Sequence, residues 1–249
     1  MDVYGLVGKG LSHSRSPELF NKKFKDEGID AEYRLFDIDN PEQIKQIIET
    51  PGLKGLNVTV PYKRSLSNYI DFLSTEVKQS GSINTIKVCS KHGELKTKAY
   101  NTDIVGFENS IKKVVHNKPG IRALILGTGG SAHTVSYVFR KLGVFFYFIS
   151  RKPAKVEHMS YNWITPKLIS EYPIIVNCTP AGMYPNIDTY PDIPYEHMGS
   201  NNICFDWVYN PEETSFLKKA AEKGAQTITG KQLFFDQAKE AWKIWNRRY

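Results

Sequence analysis

The sequence predicts an α/β protein built on mostly parallel sheets. Strand-like and helix-like segments alternate along its 249 residues, an order typical of a parallel sheet with helices on both faces. A glycine-rich turn at 127–130 lies between an apolar run and an amphipathic segment, which is the order strand, turn, helix. Polar clusters follow several of the strand-like runs, where α/β proteins carry their sites. The length allows one large domain or two smaller ones.

The N-terminal half begins with a strand and then alternates. Two helices are expected to start at a proline that follows a capping side chain, with Ser16 and Asn40 as the N-caps. The expected elements are strands at Val3–Val7, Glu32–Phe36 and Gly55–Val60, helices at Pro17–Glu27 and Pro41–Glu49, and a hairpin of Ile83–Val88 and Leu95–Tyr100 across Cys89–Gly93.

The second half continues the alternation. A final amphipathic helix is indicated by apolar residues that share one face, namely Leu233, Ala238, Ala241, Trp242 and Trp245. The expected elements are helices at Ile104–Val115, Ser131–Leu142 and Lys231–Asn246, with strands near Arg122, Val144, Ile174, Asn202 and Gln226. The segment Lys155–Ile164 is expected to be a short polar crossover.

The glycine turn is typical of a dinucleotide-binding unit. Gly127 permits the tight turn, Gly129 lets the backbone approach a pyrophosphate, and Ala132 is small enough for close helix–strand packing. The pyrophosphate would lie at the helix N-terminus, where unpaired N–H groups favour an anion. A glycine fingerprint alone is weak evidence, so the next strand has to support it.

A basic turn follows that next strand. The fingerprint usually has an acidic residue there, which binds the ribose 2′-hydroxyl of NAD. This chain has Ser150, Arg151, Lys152 and Lys155, with no carboxylate from 150 to 155. Arginine stacks on planar rings and binds phosphate through two hydrogen bonds, so the turn favours the 2′-phosphate of NADP. The alternative is a solvated basic loop on a basic protein.

Composition limits the classes of partner. The formal net charge is +7, but Lys and Arg are scattered, without a basic helix or an RNA-binding aromatic stretch. We therefore expect an anionic small molecule as the partner and no nucleic acid. The longest apolar run is too short to span a membrane, and the N-terminus lacks a signal-peptide pattern, so we expect a cytoplasmic protein with no membrane contact.

The cysteines and histidines agree with the expected cytoplasmic location. Cys89, Cys178 and Cys204 are odd in number and far apart, and we expect reduced, buried thiols. The six histidines form no ligand cluster, so no metal site is expected.

Candidate catalytic side chains lie just past the strand-like runs. Ser14 and Ser16 lie in a loop that enters a helix, where hydroxyls can bind a carboxylate, although capping is the simpler role for Ser16. Lys63 follows a strand, where a lone lysine is most often a solvated surface residue. Asp103 lies between a strand end and a helix start, where helix capping is the alternative role.

Eight motifs in one order resemble the shikimate dehydrogenases and cover essentially the whole chain. They are Ser14–Pro17, Asn57–Lys63, Ser82–Thr85, Asn101–Asp103, Gly127–Ala132, Asn177–Met183, Asp206–Pro211 and Gly230–Gln237. The resemblance implies a substrate domain at 1–103 and 231–249, to which the last helix returns, and a Rossmann NADP-binding domain at 104–230. It also implies reversible reduction of 3-dehydroshikimate to shikimate by NADPH, in the route to chorismate and aromatic amino acids.

The resemblance assigns roles to individual residues. It implies that Lys63 and Asp103 form a catalytic pair, since an ammonium beside an aspartate can stabilise the alkoxide that hydride arrival creates and then protonate it. Residues expected to bind the substrate are Ser14 and Ser16, through its carboxylate, with Asn57, Thr59, Asn84, Tyr209 and Gln237. Residues expected to contact NADP are Gly127, Gly129, Gly130, Ser131, Ala132, Ser150, Arg151, Lys152, Lys155, Thr179, Met183, Val208 and Gly230.

Alternatives stay open at this point. The chain could belong to an enzyme that also oxidises quinate, or to a non-catalytic NADP-sensing module, against which Lys63 and Asp103 argue. Lys155 stands where the family has a second arginine, which leaves the strength of the NADP preference open. Either a monomer or a homodimer is compatible with the sequence.

Overall fold

A computed structural model describes residues 1–91 and 94–247 and divides the chain into two compact units. Unit 1 comprises Met1–Thr102 with Ala238–Tyr249, and unit 2 comprises Asp103–Gln237. The first boundary between the units falls after residue 102, whereas the sequence predicted it after residue 103. The second falls after residue 237, whereas the sequence predicted it after residue 230. The ligands of the two units stay predictions at this stage.

Unit 1 is built on a six-stranded mixed sheet with the strand order β2-β1-β3-β5-β6-β4. Its elements are β1 (Asp2–Gly8), α1 (Ser16–Asp26), β2 (Ala31–Asp37), α2 (Ile44–Ile48), β3 (Leu53–Val58), β4 (Phe72–Leu73), α3 (Thr75–Ser80), β5 (Thr85–Lys91) and β6 (Glu94–Tyr100). Strand β1 pairs in parallel with β2 and β3, whereas β5 is antiparallel to β3 and β6. The ends of β1 and β3 therefore point the same way.

Several boundaries in unit 1 differ from those expected. Arg15 is the N-cap of α1 and Ser16 is already helical, so the capping role expected for Ser16 is wrong. The helix expected from Pro41 is a 3₁₀ turn followed by the short α2. Strand β3 ends at Val58, and the hairpin strands extend to Lys91 and from Glu94, so the turn expected across Cys89–Gly93 is shorter. Residues 92 and 93 of that turn lie outside the described residues.

Unit 2 is built on a six-stranded sheet in which every pair is parallel, with the order β12-β11-β10-β7-β8-β9. Its elements are α4 (Asp103–His116), β7 (Arg122–Leu126), α5 (Gly130–Lys141), β8 (Phe145–Ser150), β9 (His158–Ser160), α6 (Pro166–Glu171), β10 (Ile174–Asn177), β11 (Ile203–Asp206), α7 (Ser215–Glu222), β12 (Gln226–Ile228) and the first part of α8 (Lys231–Asn246). The polar crossover expected at 155–164 contains β9, which sequence periodicity did not indicate.

Helices cover both faces of the sheet in unit 2. Alternate residues of β7 enter different clusters, with Ala123 and Ile125 packing under α4 and α5 and Leu124 and Leu126 packing under α6 and α7. All four side chains are fully buried. A strand buried on both faces is apolar at every position, which explains why this run showed no alternation in the sequence.

The last helix contributes to the cores of both units. Leu233, near its start, belongs to the core cluster of unit 2 that contains Phe107 and Ile111, and this packing moves the unit boundary past residue 230. Ala238, Ala241 and Trp245 belong to an aromatic cluster of unit 1. The predicted return of the last helix to the N-terminal part of the chain is thus correct for its second half.

Three contacts attach the end of α8 to the sheet of unit 1. The Trp245 indole lies against β3 at Gly55, where an added Cβ would lie 2.2 Å from the ring. Its Nε1–H donates to the Ile86 carbonyl at 3.0 Å. The buried Lys87 ammonium donates to the carbonyls of Ile244 and Arg247 at the end of the helix.

Two further expectations were that the cysteines are reduced and buried and that the chain has no membrane contact. All three cysteines are free thiols, but only Cys204 is buried, whereas Cys89 and Cys178 are half-buried. No helix within 1–91 and 94–247 is long and apolar enough to cross a membrane.

Gly55→Ala should destabilise the protein by about 1–3 kcal/mol, the usual cost of overpacking, because the new methyl group occupies the space of the Trp245 ring. Chemical denaturation monitored by tryptophan fluorescence measures this loss. Gly199→Ala is the control, since nothing lies within 4 Å of its added Cβ. In a Trp245→Leu background, Gly55→Ala should lower the free energy of unfolding by less than it does in the wild type. An equal loss in both backgrounds would contradict this description of how the helix is attached.

Candidate active site

In unit 1 the segments after β1 and β3 lie side by side. The Thr59 N–H donates to the Val7 carbonyl at 2.9 Å, so the chain past β3 continues along the end of β1. The Ser14 Oγ accepts from the Ser16 N–H at 3.2 Å, and Ser16 is buried. The Ser14 hydroxyl thus supports the start of α1, a local role that the sequence analysis did not assign to it. Ser14 and Ser16 follow β1 as expected, whereas Thr59, which was expected inside the strand Gly55–Val60, follows the end of β3.

Asn57 and Asn84 meet in a buried polar network, each less than a tenth exposed. The Tyr33 hydroxyl donates to Asn57 Oδ1 at 2.8 Å. The Asn57 Nδ2 donates to the Asn84 carbonyl and to Thr85 Oγ1, both at 3.3 Å. Asn84 Oδ1 accepts from the Thr102 N–H at 2.6 Å, and its Nδ2 donates to Thr102 Oγ1 at 2.9 Å. Sequence reasoning named the two asparagines but missed Tyr33, which fixes the orientation of the Asn57 amide.

Lys63 is buried, with 8% of its surface exposed. Two hydrogen bonds hold the turn that carries it, since the Ile83 N–H donates to the Lys63 carbonyl at 2.7 Å and the Tyr62 hydroxyl donates to the Ile38 carbonyl at 2.8 Å. The alternative that Lys63 is a solvated surface residue is therefore wrong. Burial of an ammonium group is costly, which makes it a candidate for chemistry.

Unit 2 contains three further residues that were predicted to bind the substrate or to take part in catalysis. Asp103 is the first residue of α4 and is 3% exposed. Gln237 is buried on α8, and its Nε2 donates to the Phe234 carbonyl at 2.9 Å. The ring of Tyr209 stacks on Phe234 with a centroid distance of 4.3 Å. Phe234 thus connects Tyr209 and Gln237, although the sequence analysis did not select it.

The glycine turn has the geometry expected of an anion site. Gly127 has φ +105, and its N–H donates to the Ile149 carbonyl at 2.8 Å, so a glycine is required there. An added Cβ at Gly129 would meet no atom within 4 Å, which leaves open space in front of α5. Helix α5 starts at Gly130, next to Ser131, and its first-turn N–H groups have no partner within the helix. Ala132 is fully buried in the core cluster, as predicted.

The basic turn follows β8 directly. Ser150 is buried, and its Oγ accepts from the Lys152 N–H at 3.1 Å, which tightens the turn. Arg151, Lys152 and Lys155 are exposed. Burial raises the pKa of the Tyr161 hydroxyl to about 12, and the charge of Arg151 acts in the opposite direction.

The loops after β10 and β11 meet at a buried carboxylate that sequence reasoning did not select as a site residue. Asp206 accepts from the Val208 N–H, from Asn177 Nδ2 and from Thr214 Oγ1. Burial raises the pKa of Asp206 to about 6, while these three donors act in the opposite direction. The motif containing Asp206 was visible in the sequence, but its burial was not.

The remaining predicted cofactor residues lie around these loops. Thr179 donates from its N–H and its hydroxyl to Asn177 Oδ1 at 3.0 and 2.6 Å. Met183 is exposed and Val208 is buried. Packing alone favours a glycine at position 230, because an added Cβ would lie 2.7 Å from the Trp207 carbonyl oxygen.

The chemistry available in each unit can be stated from these contacts. Unit 1 presents hydroxyls and amides beside a buried ammonium, which suits a small polar ligand with a carboxylate and hydroxyl groups. Unit 2 presents a helix N-terminus behind a glycine turn and a basic turn one strand away, which suits a pyrophosphate and a further phosphate.

Comparison with known proteins agrees with this description. A family model described as the shikimate dehydrogenase substrate binding domain matches residues 6–86. A protein of Clostridium perfringens named shikimate dehydrogenase (NADP(+)) is 36% identical, over 99% of this chain and 93% of that protein. The crystal structure of shikimate dehydrogenase 1 from Peptoclostridium difficile is 35% identical, with a TM-score of 0.86 over 98% of this chain and 91% of that one.

A further solved structure was determined with ligands. Shikimate 5-dehydrogenase from Thermus thermophilus, in complex with NADP(H) and shikimate, is 25% identical, with a TM-score of 0.81 over 99% of this chain and 94% of that one. Identity above 30% along nearly the full length of the chain, together with a common fold, leads to one conclusion: the chain belongs to the shikimate dehydrogenase family.

Proposed function

We propose that the protein is an NADP-dependent shikimate dehydrogenase, which reversibly reduces 3-dehydroshikimate to shikimate. The observation that carries the proposal is the burial of Lys63 in the unit that also holds the Asn57–Asn84 network. A cofactor sensor has no need of a buried ammonium group, whereas reduction of a ketone needs an acid beside the carbonyl oxygen. The family relatives support the same substrate.

The substrate residues have separable roles in this proposal. The Ser14 and Ser16 hydroxyls bind the substrate carboxylate, with charge-assisted hydrogen bonds that are about twice as strong as neutral ones. Asn57, Thr59 and Asn84 bind ring hydroxyls in unit 1. Tyr209 and Gln237, which belong to unit 2, complete the set.

Lys63 and Asp103 carry the proton chemistry in this proposal. The Lys63 ammonium stabilises the developing alkoxide and donates a proton from Nζ. Asp103 is the partner of Lys63 in this proposal, as the family resemblance implies. Bound NADPH supplies the hydride in the reducing direction.

The residues of unit 2 fit NADP. The open space at Gly129 and the first turn of α5 accommodate a pyrophosphate, which the positive end of the helix dipole favours. Arg151, Lys152 and Lys155 provide positive charge where an acidic residue would favour NAD. The named function of the relatives, shikimate dehydrogenase (NADP(+)), supports this choice of cofactor.

Steady-state assays with four pairs of substrates test the proposal: shikimate or quinate, each with NADP+ or NAD+. We expect the highest kcat/KM for shikimate with NADP+. A higher kcat/KM for quinate would contradict the substrate, and cofactor binding without turnover of either acid would favour the sensing module. A cytoplasmic location and a monomeric or homodimeric state stay predictions from the sequence.

Lys63→Met should lower kcat by about 10²–10⁴-fold, the scale of general acid–base catalysis, because the variant keeps the buried stem but lacks the amine that donates the proton in reduction and accepts it in oxidation. The KM for shikimate should change far less, since other groups bind the ring. Stopped-flow and steady-state rates of NADPH formation measure both quantities. The control is Lys78→Met, which changes an exposed lysine on α3.

The same experiment tests whether Asp103 acts together with Lys63. Asp103→Asn should also lose mainly kcat, and the double variant should be little worse than Lys63→Met alone, because groups that act as a unit are non-additive. Near-normal turnover in Lys63→Met would remove Lys63 from the chemistry.

Arg151→Ala should raise the KM for NADP+ by about tenfold or more, the scale of a lost charge-assisted hydrogen bond, because a 2′-phosphate loses its guanidinium partner. The KM for NAD+, which has no such phosphate, should stay nearly constant. Lys167→Ala, an exposed lysine on α6, is the matched control. Equal increases for both cofactors would contradict the assignment of the basic turn to the 2′-phosphate.

A further inference from the structure

We propose that Asp206 is a positioning residue for the cofactor: its buried carboxylate holds the loops after β10 and β11 in one arrangement. We call residues 178–183 the β10 loop and residues 207–214 the β11 loop. The proposal rests on the proposed function, because it concerns the binding of NADP. None of the roles implied by the family resemblance includes Asp206.

Both ends of the β11 loop are bound to this carboxylate. The Val208 N–H, at the start of the loop, donates to Asp206 Oδ1 at 3.0 Å. The Thr214 hydroxyl, at its end, donates to Asp206 Oδ2. The same hydroxyl oxygen accepts from the Leu217 N–H at 3.4 Å and caps α7. One side chain thus fixes where the loop begins and where the next helix starts.

The β10 loop is held through Asn177. The Asn177 Nδ2 donates to Asp206 Oδ1 at 3.0 Å and to the Ala181 carbonyl at 3.3 Å. This contact leaves Asn177 Oδ1 facing Thr179, where it accepts from both the N–H and the hydroxyl. A flipped amide would direct its NH2 group at the Thr179 N–H and lose these bonds. Asp206 therefore sets the orientation of the amide on which the Thr179 backbone depends.

The charge of Asp206 has no cation among the groups that act on its pKa within the described residues, since Thr214, Val208 and Asn177 are neutral donors. The titratable neighbours are Cys204 on β11 and Tyr195, and both stay neutral because burial and the Asp206 charge raise their pKa values. A buried charge without a counter-ion costs stability. A carboxylate suits this position because it accepts two donors from the β11 loop and one from Asn177 at the end of β10.

The two loops carry Thr179, Met183 and Val208, which we propose contact the cofactor, whereas the residues proposed for the substrate carboxylate, Ser14 and Ser16, belong to unit 1. Loss of the carboxylate should therefore weaken cofactor binding and leave binding of the substrate carboxylate nearly unchanged. A purely structural role would instead lower the amount of folded enzyme and leave the affinity of the folded fraction for both ligands constant.

The test compares Asp206→Leu with Asp206→Asn. The leucine leaves the Val208 N–H and Asn177 without their acceptor, whereas the asparagine keeps one acceptor oxygen and can donate to Thr214 Oγ1. Calorimetric titration should show NADP+ binding to Asp206→Leu weakened by about tenfold or more, the usual result of leaving buried donors unpaired. Asp206→Asn should bind within about threefold of wild type, and the KM for shikimate should stay within about threefold in both. Unchanged NADP+ affinity in a folded Asp206→Leu enzyme would overturn the proposal.

A second readout does not depend on the cofactor. Amide hydrogen exchange should become faster in both loops of Asp206→Leu, with the central strands β7 and β10 unchanged. Loops that loosen without any loss of NADP+ affinity would overturn the proposal. A wild-type protein that binds no NADP+ would overturn the proposed function and this proposal together, and the exchange data would then still report whether Asp206 holds the loops.

If Asp206→Leu does not fold, two variants of Thr214 test the same proposal. Thr214→Val removes the donor to Oδ2, whereas Thr214→Ser keeps both the donor and the cap of α7. We expect NADP+ binding to weaken severalfold in the valine variant and to return in the serine variant. Equal affinities in the two variants would overturn the proposal.

The pH dependence of unfolding tests the state of the carboxylate. Because burial raises the pKa of Asp206 from the ordinary range of an aspartate to about 6, this group contributes stability at low pH that is lost as the pH rises through about 6. Wild type should therefore gain Tm relative to Asp206→Asn when the pH is lowered from about 8 to about 5. A constant difference in Tm across this range would contradict a carboxyl pKa raised by burial.

Discussion

Hydrogen bonding of buried polar side chains at strand ends is the constraint on which both units depend. Asn57 at the end of β3 and Asn177 at the end of β10 are buried, and each amide binds side-chain and backbone groups of neighbouring segments. An unpaired buried polar group costs about 1–3 kcal/mol, so the segments that supply the partners are held in place. In both units these segments include residues proposed to bind a ligand.

The two units use this constraint with different chemistry. In unit 1 the network is neutral and rests on Tyr33, whose ring stacks on Phe20 at a centroid distance of 4.6 Å. The aromatic core of unit 1 therefore determines the orientation of Asn57, a residue proposed to bind the substrate. In unit 2 the network centres on a carboxylate whose burial costs stability, a cost that natural proteins accept mainly at sites with a function.

Much of the fold follows from local sequence patterns. The apolar runs and the glycine turn before α5 predict the parallel sheet of unit 2, and positive φ at Gly127 is what the turn requires. The short elements β9, α3 and α6 could not be predicted, because three to six residues carry too little periodicity. The division of the last helix between the two units could not be read from the sequence, since the packing of Leu233 is a tertiary contact.

The candidate site was predictable to the extent that motifs carry it. Ser14 and Lys63 were selected for their residue type and for their place after strands, whereas Asn57 and Asn84 were selected by the family motifs that contain them. The partners that orient them were not, because Tyr33 and Asp206 are distant in sequence from the groups they bind or are hidden by burial. Whether Lys63 is solvated could only be decided from its surroundings.

The crystal structure of the protein with NADP+ and shikimate is the most direct measurement of the central claim. The account predicts the shikimate carboxylate at the Ser14 and Ser16 hydroxyls, the pyrophosphate at the first turn of α5, and the 2′-phosphate at Arg151. A shikimate molecule bound away from Ser14 and Lys63, or a pyrophosphate away from Gly129, would contradict it.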